Sequence, residues 1–317
     1  MKRYGLLSIA FIALLGFTLF LQACKKKDNP AAPSSNPTPT YTPSTSVPYF
    51  SKGVSFGSGT MGMPYGVAIT GSDLWVVNEN TNLQEWPLSG DAPLTTITSF
   101  SSPATSLNTE YGVGIGQDGY IYVPMGLPPE QVVELSPTGT YVSGFGNAKL
   151  SGFPIGVAIS SSIAYVLDQS GGQILAYTIG GSGASKTFTY VATMGTTGAG
   201  TLGASPMGIC IDSLNNVYVS DSANKRIMKY NSNGVYQSAI TLTSLGVPTG
   251  VNVDAFGYIY ASDTRNHEVQ MFNSSGNPVT QFGASYLTTP AGIAIDLPGN
   301  IWVADSTANQ VVEFSRH

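Results

Sequence analysis

Three observations predict that this 317-residue chain is all-β, a six-bladed β-propeller closed by its own N-terminal strand. An x-Gly turn, opened by proline in five copies and by Glu110 in the other, recurs six times before a Val/Ile run. An aromatic residue between aliphatics follows each turn at fixed spacing. The last copy ends one strand short, while a strand-like segment stands unassigned before the first copy.

The turns read Pro64-Tyr65-Gly66, Glu110-Tyr111-Gly112, Pro154-Ile155-Gly156, Pro206-Met207-Gly208, Pro248-Thr249-Gly250 and Pro290-Ala291-Gly292. Their glycines are 46, 44, 52, 42 and 42 residues apart. A step of roughly 40 to 45 residues carrying four strand-length segments is the period of a propeller blade. The small residues at the start of each first strand suit the crowded inner edge of such a blade.

Nine or ten residues after each glycine stands Trp75, Tyr122, Tyr165, Tyr218, Tyr260 or Trp302. Three residues later come Asn78, Met125, Asp168, Asp221, Asp263 and Asp305. The next strand ends on Trp86, Leu135, Tyr177, Tyr230, Phe272 and Phe314, and the period-2 alternation is that of strands in packed sheets. The 52-residue step makes room for a Gly/Ser/Thr-rich excursion over 180–203, read as a long outer hairpin.

Closure is legible at the two ends. The sixth copy stops at Val311-Val312-Glu313-Phe314, and Val54-Ser55-Phe56-Gly57 precedes Gly66 much as Phe282-Gly283 precedes Gly292. The N-terminal strand is therefore expected to complete the sixth blade, which covers an edge that would otherwise be sticky.

The run from Asp221 through Asn224, Arg226 and Ile227 to Tyr230, preceded by Pro206-Met207-Gly208 and Val217-Tyr218-Val219, resembles an NHL repeat. Asp263, Asn266, Val269 and Phe272 repeat the pattern, whereas in the sixth copy Asn309 falls one place late. The resemblance spans about residues 50–317 and implies a six-bladed NHL/TolB-like propeller. The family includes sensor domains of receptor kinases, RNA-binding propellers and a few lyases, and fold alone does not select among them.

At the N-terminus, Lys2 and Arg3 form a basic end, Tyr4 to Phe20 an apolar stretch, and Leu21-Gln22-Ala23-Cys24 resembles the lipobox of bacterial lipoproteins. The expectation is a signal peptide over 1–23, a lipidated Cys24, a Pro/Ser/Thr tether over 24–47 and the propeller over 48–317. Such a protein is extracytoplasmic and meets a bacterial membrane through its lipid anchor. The tether, too poor in aliphatics to bury a core, reaches up to roughly 60 Å at about 3.1 Å per residue of proline-rich chain.

Net charge is −5, and without Lys2, Arg3, Lys25–Lys27 and Asp28 the propeller keeps only eight basic against 17 acidic residues. This opposes nucleic-acid binding, which needs clustered Lys and Arg. Cys210 stands between Ile209 and Ile211 and is expected to be a buried free thiol. Two histidines, His267 and His317, cannot make the three-His zinc site of the amidating lyases of this class.

Residues that obey the repeat belong to the fold, so those that break it are the candidates for function. Asp168, Asp221, Asp263 and Asp305 obey it, as loop-capping residues. Asp212, Asp254 and Asp296 recur at the opposite hairpin as turn formers. The exceptions fall in blades 1 and 2: Tyr65, Glu79, Glu110, Tyr111, Met125, Leu127 and Glu130, expected to form an aromatic, acidic patch at one side of the channel mouth. The reading is a binding or scaffolding module for an envelope protein, peptide or glycan, with no cofactor. The alternative is an enzyme. A gluconolactonase-like hydrolase would hold a divalent cation through residues such as Asn78, Glu79 and Glu110, and a streptogramin-lyase-like propeller would use His267 with Mg²⁺.

Overall fold

A computed structural model describes residues 48–317 except 80, 102–103, 108–110 and 127. The expected leader and tether, with Cys24, lie outside the described residues, as do Glu110 and Leu127. Residues Val47–His317 form one compact unit. Helical content among the described residues is confined to single 3-10 turns, and no helix there is long and apolar enough to cross a membrane.

Six four-stranded antiparallel sheets follow one another along the chain. Blade 1 runs through Pro64–Thr70, Asp73–Asn78, Asn82–Pro87 and Thr95–Ile97; blade 2 through Gly114–Ile115, Ile121–Met125, Gln131–Leu135 and Tyr141–Phe145. Blade 3 comprises Pro154–Ile159, Ile163–Asp168, Gln173–Gly180 and Thr187–Met194, and blade 4 Pro206–Ile211, Val217–Asp221, Arg226–Tyr230 and Tyr236–Thr241. Blade 5 is Pro248–Val253, Ile259–Asp263, Glu268–Phe272 and Pro278–Phe282. Blade 6 takes three strands from the C-terminus, Pro290–Ile295, Ile301–Asp305 and Gln310–Arg316, and its fourth, Phe50–Phe56, from the N-terminus. A small ribbon of Ser99–Ser101 with Ala104–Ser106 sits between blades 1 and 2 in sequence, an addition that the repeat pattern does not announce.

The closing strand pairs antiparallel with the last one, Phe50 opposite Arg316 and Phe56 opposite Val311. Phe50 stacks on Phe282 of blade 5 at 4.3 Å, and Phe56 stacks on Trp86 of blade 1 at 5.0 Å between ring centroids. The N-terminal strand thus joins blades 5, 6 and 1.

Each sheet packs on a neighbour through both faces, so the second strands read as continuously buried runs where a one-sided sheet would alternate. The whole second strand is buried in blades 2, 4, 5 and 6. The aromatic at its centre is buried in all six blades. The turn aspartates explain its register in the last three. Tyr218 donates to Asp212 at 3.1 Å, Tyr260 to Asp254 at 3.1 Å, and the Trp302 indole to Asp296 at 3.1 Å. In blade 1 Thr70 stands at that turn position, and the Trp75 indole N–H has no hydrogen-bond partner among the described residues.

Proximity at the axis dictates the turn glycines. A Cβ on Gly66 would lie 2.6 Å from the Tyr111 carbonyl oxygen of blade 2; on Gly112, 2.5 Å from that of Ile155; on Gly208, 2.6 Å from Thr249; on Gly250, 2.3 Å from Ala291; on Gly292, 2.5 Å from Tyr65 of blade 1. Gly156 faces the Ile209 methyl at 2.8 Å. The six glycines therefore form a closed ring in which five blades lean on the backbone of the next and blade 3 on the Ile209 side chain, and the sixth leans on the first.

The first part of the excursion is an outer hairpin, two eight-residue strands, Gln173–Gly180 and Thr187–Met194, joined across Gly183–Ser185, whereas 195–203 leads into blade 4 through a separate turn at Gly198–Gly200. Cys210 is a buried free thiol whose pKa burial pushes up.

Candidate functional site

The Pro-x-Gly turns and the loops after the second strands converge at one end of the axis. Below the x residues and the glycine ring stands a second ring of Val67, Val113, Val157, Ile209, Val251 and Ile293. The channel between them is only about 70 Å³, room for a few waters at about 30 Å³ each and far below the roughly 300–1,000 Å³ of a small-molecule pocket. Among the described residues its lining contains no Asp, Glu or His. A ligand on the axis must sit on the mouth.

Blades 1 to 3 give that mouth an aromatic row. Tyr65 and Tyr111, the x residues of their turns, meet edge to face at 4.8 Å, and Tyr111 leans on Phe153 at 5.8 Å. The Tyr111 hydroxyl donates to Glu79 Oε1 at 3.0 Å. Burial pushes the Tyr65 phenol well up, with Tyr111 and Glu79 adding to it. Burial and then the Glu79 hydrogen bond raise that of Tyr111. Both phenols therefore stay protonated at neutral pH, as donors beside a carboxylate. Met63, 46% exposed, flanks the row.

The structure brings Tyr65, Glu79 and Tyr111 together. It does not bring Met125 to them. Met125 is 4% exposed, packed with Val77, Leu83 and Leu107 between blades 1 and 2; a thioether in place of the loop aspartate has no backbone donors to hold it out and joins the core. Glu130 is half-buried at the start of the third strand of blade 2. His267 stands on the blade 5 loop, exposed, its Nδ1 against the Thr288 carbonyl. Its left-handed backbone (φ 59°) is shared with Lys225, Asn309 and Gly172 at the same place in their loops. Asn309, one place late by the repeat, uses that position to accept the Met63 N–H at 2.8 Å, tying blade 6 to blade 1.

Sequence reasoning missed Phe153 and Gln169. Phe153 stands just before its turn proline, where Met63 and Val247 stand in other blades, and that shared large apolar type was the available signal. Gln169 reaches the Pro206 carbonyl of blade 4 at 3.2 Å.

The loop aspartates are caps. Asp168 accepts from Ser151 N and Oγ at 2.8 and 2.6 Å, Asp221 from Gly203 N at 2.9 Å, Asp263 from Val247 N at 2.9 Å, and Asp305 from Thr288 N and Thr289 N at 2.8 and 2.7 Å. Each fastens its loop to the segment entering the same blade. Burial pushes the Asp168 carboxyl up, but hydrogen bonds from Ser151, Gln173 and backbone amides outweigh it and hold the pKa below the ordinary value. A depressed carboxyl stabilises the fold above its unfolded value near 4 and loses that contribution as pH falls through the folded one. The urea midpoint should therefore fall below about pH 4, and Asp168→Asn, weaker at neutral pH, should show a shallower acid slope.

Asn78, completely buried, donates to Asn82 Oδ1 at 2.7 Å and Gln84 Oε1 at 2.9 Å. Among the described residues no group of three His, Cys, Asp or Glu side chains converges as a metal site would require.

The NHL repeat family model matches residues 204–230, the fourth-blade segment with the Pro206 turn and the Asp221 loop. No curated protein matches the chain in sequence. Among solved structures, a Bacteroides thetaiotaomicron protein of unknown function superposes with TM-score 0.63 at 15% identity, over 81% of this chain and 70% of that one. Virginiamycin B lyase from Staphylococcus aureus gives 0.59 at 14% identity over 85% and 88%, and the WD40 propeller domain of Doa1 0.58 at 12% over 80% and 78%. Identities this low speak to fold and not to chemistry. The chain is a six-bladed β-propeller that carries an NHL repeat.

Proposed function

We propose that the propeller is a binding module that receives an envelope protein or peptide on its channel mouth, held to a bacterial membrane through a lipid on Cys24. The observation that carries this reading is the Tyr65–Tyr111–Phe153 row with Glu79, set over a channel too small to admit a substrate. Aromatic side chains with polar tips are the groups that anchor protein interfaces. A fitting partner lays an apolar side chain on the row and brings a cation or N–H donor to Glu79. The lipid anchor rests on the Lys2-to-Cys24 segment and the proline-rich run after it. Labelled palmitate should enter the native chain and not Cys24→Ser.

Site-specific photo-cross-linking in the native cell tests the mouth. A photoreactive phenylalanine at position 111 or 153 should capture a partner, whereas one at Ser213, exposed at the opposite hairpin, should not. Equal capture at Ser213, or none at either mouth position, would overturn the reading.

A further inference from the structure

We propose that the cleft between the outer strands of blades 2 and 3 recognises a glycine-containing peptide turn donated by a partner. This site shares no residue with the tyrosine row at the mouth.

The cleft measures about 500 Å³, between Tyr141–Phe145 with its turn at 146–149 and the strand Thr187–Met194. That lies within the range of ligand-binding pockets. Phe145 and Phe188 stack at 3.9 Å, Tyr177 and Tyr190 meet edge to face at 5.9 Å, and Lys149 Nζ sits 4.9 Å from the Tyr190 ring centre. Tyr177 is 3% exposed, yet its hydroxyl has no hydrogen-bond partner among the described residues. Burying an unpaired hydroxyl is unfavourable, so the group calls for an explanation.

Blade 4 supplies one. There Tyr230 and Tyr236 make the same pair, 6.3 Å apart and again at 72°. Gly195 and Leu202 occupy the places of Gly146 and Leu150, each glycine's Cβ position 3.6 Å from the corresponding tyrosine hydroxyl. The blade 4 connection is three residues longer, and the extra residues fold as the turn Gly198–Gly200. The Gly200 carbonyl accepts the Tyr230 hydroxyl at 2.5 Å. A Cβ at Gly200 would lie 2.9 Å from Tyr236 Cβ and 3.2 Å from Tyr230 Cε1, so only glycine lies comfortably over the pair. Blade 6 has the short turn too, but over Phe314, which has no hydroxyl to satisfy.

The chain therefore contains a filled copy of the cleft, and the filling is peptide. In blade 3 the tyrosine is kept and the peptide is missing. A partner's Gly-Ala-Gly-type turn would place its carbonyl on Tyr177 and its flat glycine over Tyr177 and Tyr190. An anion is a poorer fit, because Lys186 is already spent on Asp118 at 2.7 Å and Glu134 at 2.9 Å, leaving Lys149 as the cation of the wall.

The test titrates the full chain with acetyl-Thr-Gly-Ala-Gly-Thr-amide, the sequence of its own residues 197–201, followed by NMR of the tyrosine rings. Saturable shifts at Tyr177 and Tyr190, weakened about tenfold or more in Tyr177→Phe, are expected. That variant should melt no lower than the native chain, whereas Tyr230→Phe, which removes a made bond, should melt lower. A second chain, with residues 147–149 replaced by the sequence of 196–201, should fill its own cleft, melt higher and no longer bind the peptide. Absence of saturable binding, unchanged affinity in Tyr177→Phe, or preferential saturation by N-acetylglucosamine or acetate would overturn the assignment.

Discussion

Deleting residues 48–57 is expected to destabilise the propeller by more than about 5 kcal/mol, because two buried phenylalanines are lost and each is worth about 3–5 kcal/mol. Phe50 and Phe56 are 9% and 7% exposed and reach blades 5 and 1, so their loss opens both seams flanking blade 6. The deletion also bares the edge of Gln310–Arg316, a template for association. A midpoint at least ~10 °C lower is expected, at about 2–4 °C per kcal/mol for a domain of this size. Removing 28–47 should leave the midpoint within about 1 °C, since such segments bury little. Equal midpoints for the two truncations would contradict closure by this strand.

The second large effect is expected from Gly250→Ala. The added methyl would meet the Ala291 carbonyl at 2.3 Å, the Ser262 Oγ at 3.0 Å and the Gly292 Cα at 3.1 Å. Ser262 is itself fixed, accepting the Gly250 N–H at 2.6 Å and donating to the Ala291 carbonyl at 2.5 Å. In an open sheet one strand could retreat, but in a closed ring every retreat presses on the next blade. Overpacking commonly costs about 1–3 kcal/mol, and this site should reach or exceed the upper end. Gly62→Ala is the control, with only Thr81 atoms at 3.7 and 3.9 Å, and should change stability by less than about 0.5 kcal/mol. Matching denaturation midpoints for the two variants would remove the ring as the reason for the turn glycines.

The repeat carried the architecture because each of its residues answers a local demand: glycine where backbones touch at the axis, an aromatic where two sheets meet, aspartate where a loop must be fastened. Such demands recur in every blade and can be read from spacing. The closing strand was legible for the same reason, a missing copy at one end and a spare at the other. Departures from the repeat were harder to read. Tyr65, Tyr111 and Glu79 do meet, because turns of neighbouring blades are brought together by the ring. Met125 breaks the rule as visibly and yet folds inward, since an apolar side chain follows the nearest core, here that of Leu83 and Leu107. Phe153 follows only a loose pattern, a large apolar residue before the turn proline that it shares with Met63 and Val247. Tyr177 obeyed the pattern so well that it read as an ordinary strand-ending aromatic. Only the length of the turn above it, set in the preceding blade, separates it from Tyr230.

The two readings of the mouth, recognition surface and metal centre, differ in what purified protein carries. The tyrosine row places Glu79 as an acceptor for Tyr111, whereas a lactonase-like hydrolase would need Glu79 as a ligand. Elemental analysis of the full chain after exhaustive dialysis without chelator decides between them. The binding account predicts no stoichiometric divalent ion and an unchanged content in Glu79→Gln. About one Ca²⁺, Mg²⁺ or Zn²⁺ per chain, lost in Glu79→Gln, would contradict it and turn the mouth into a hydrolytic site.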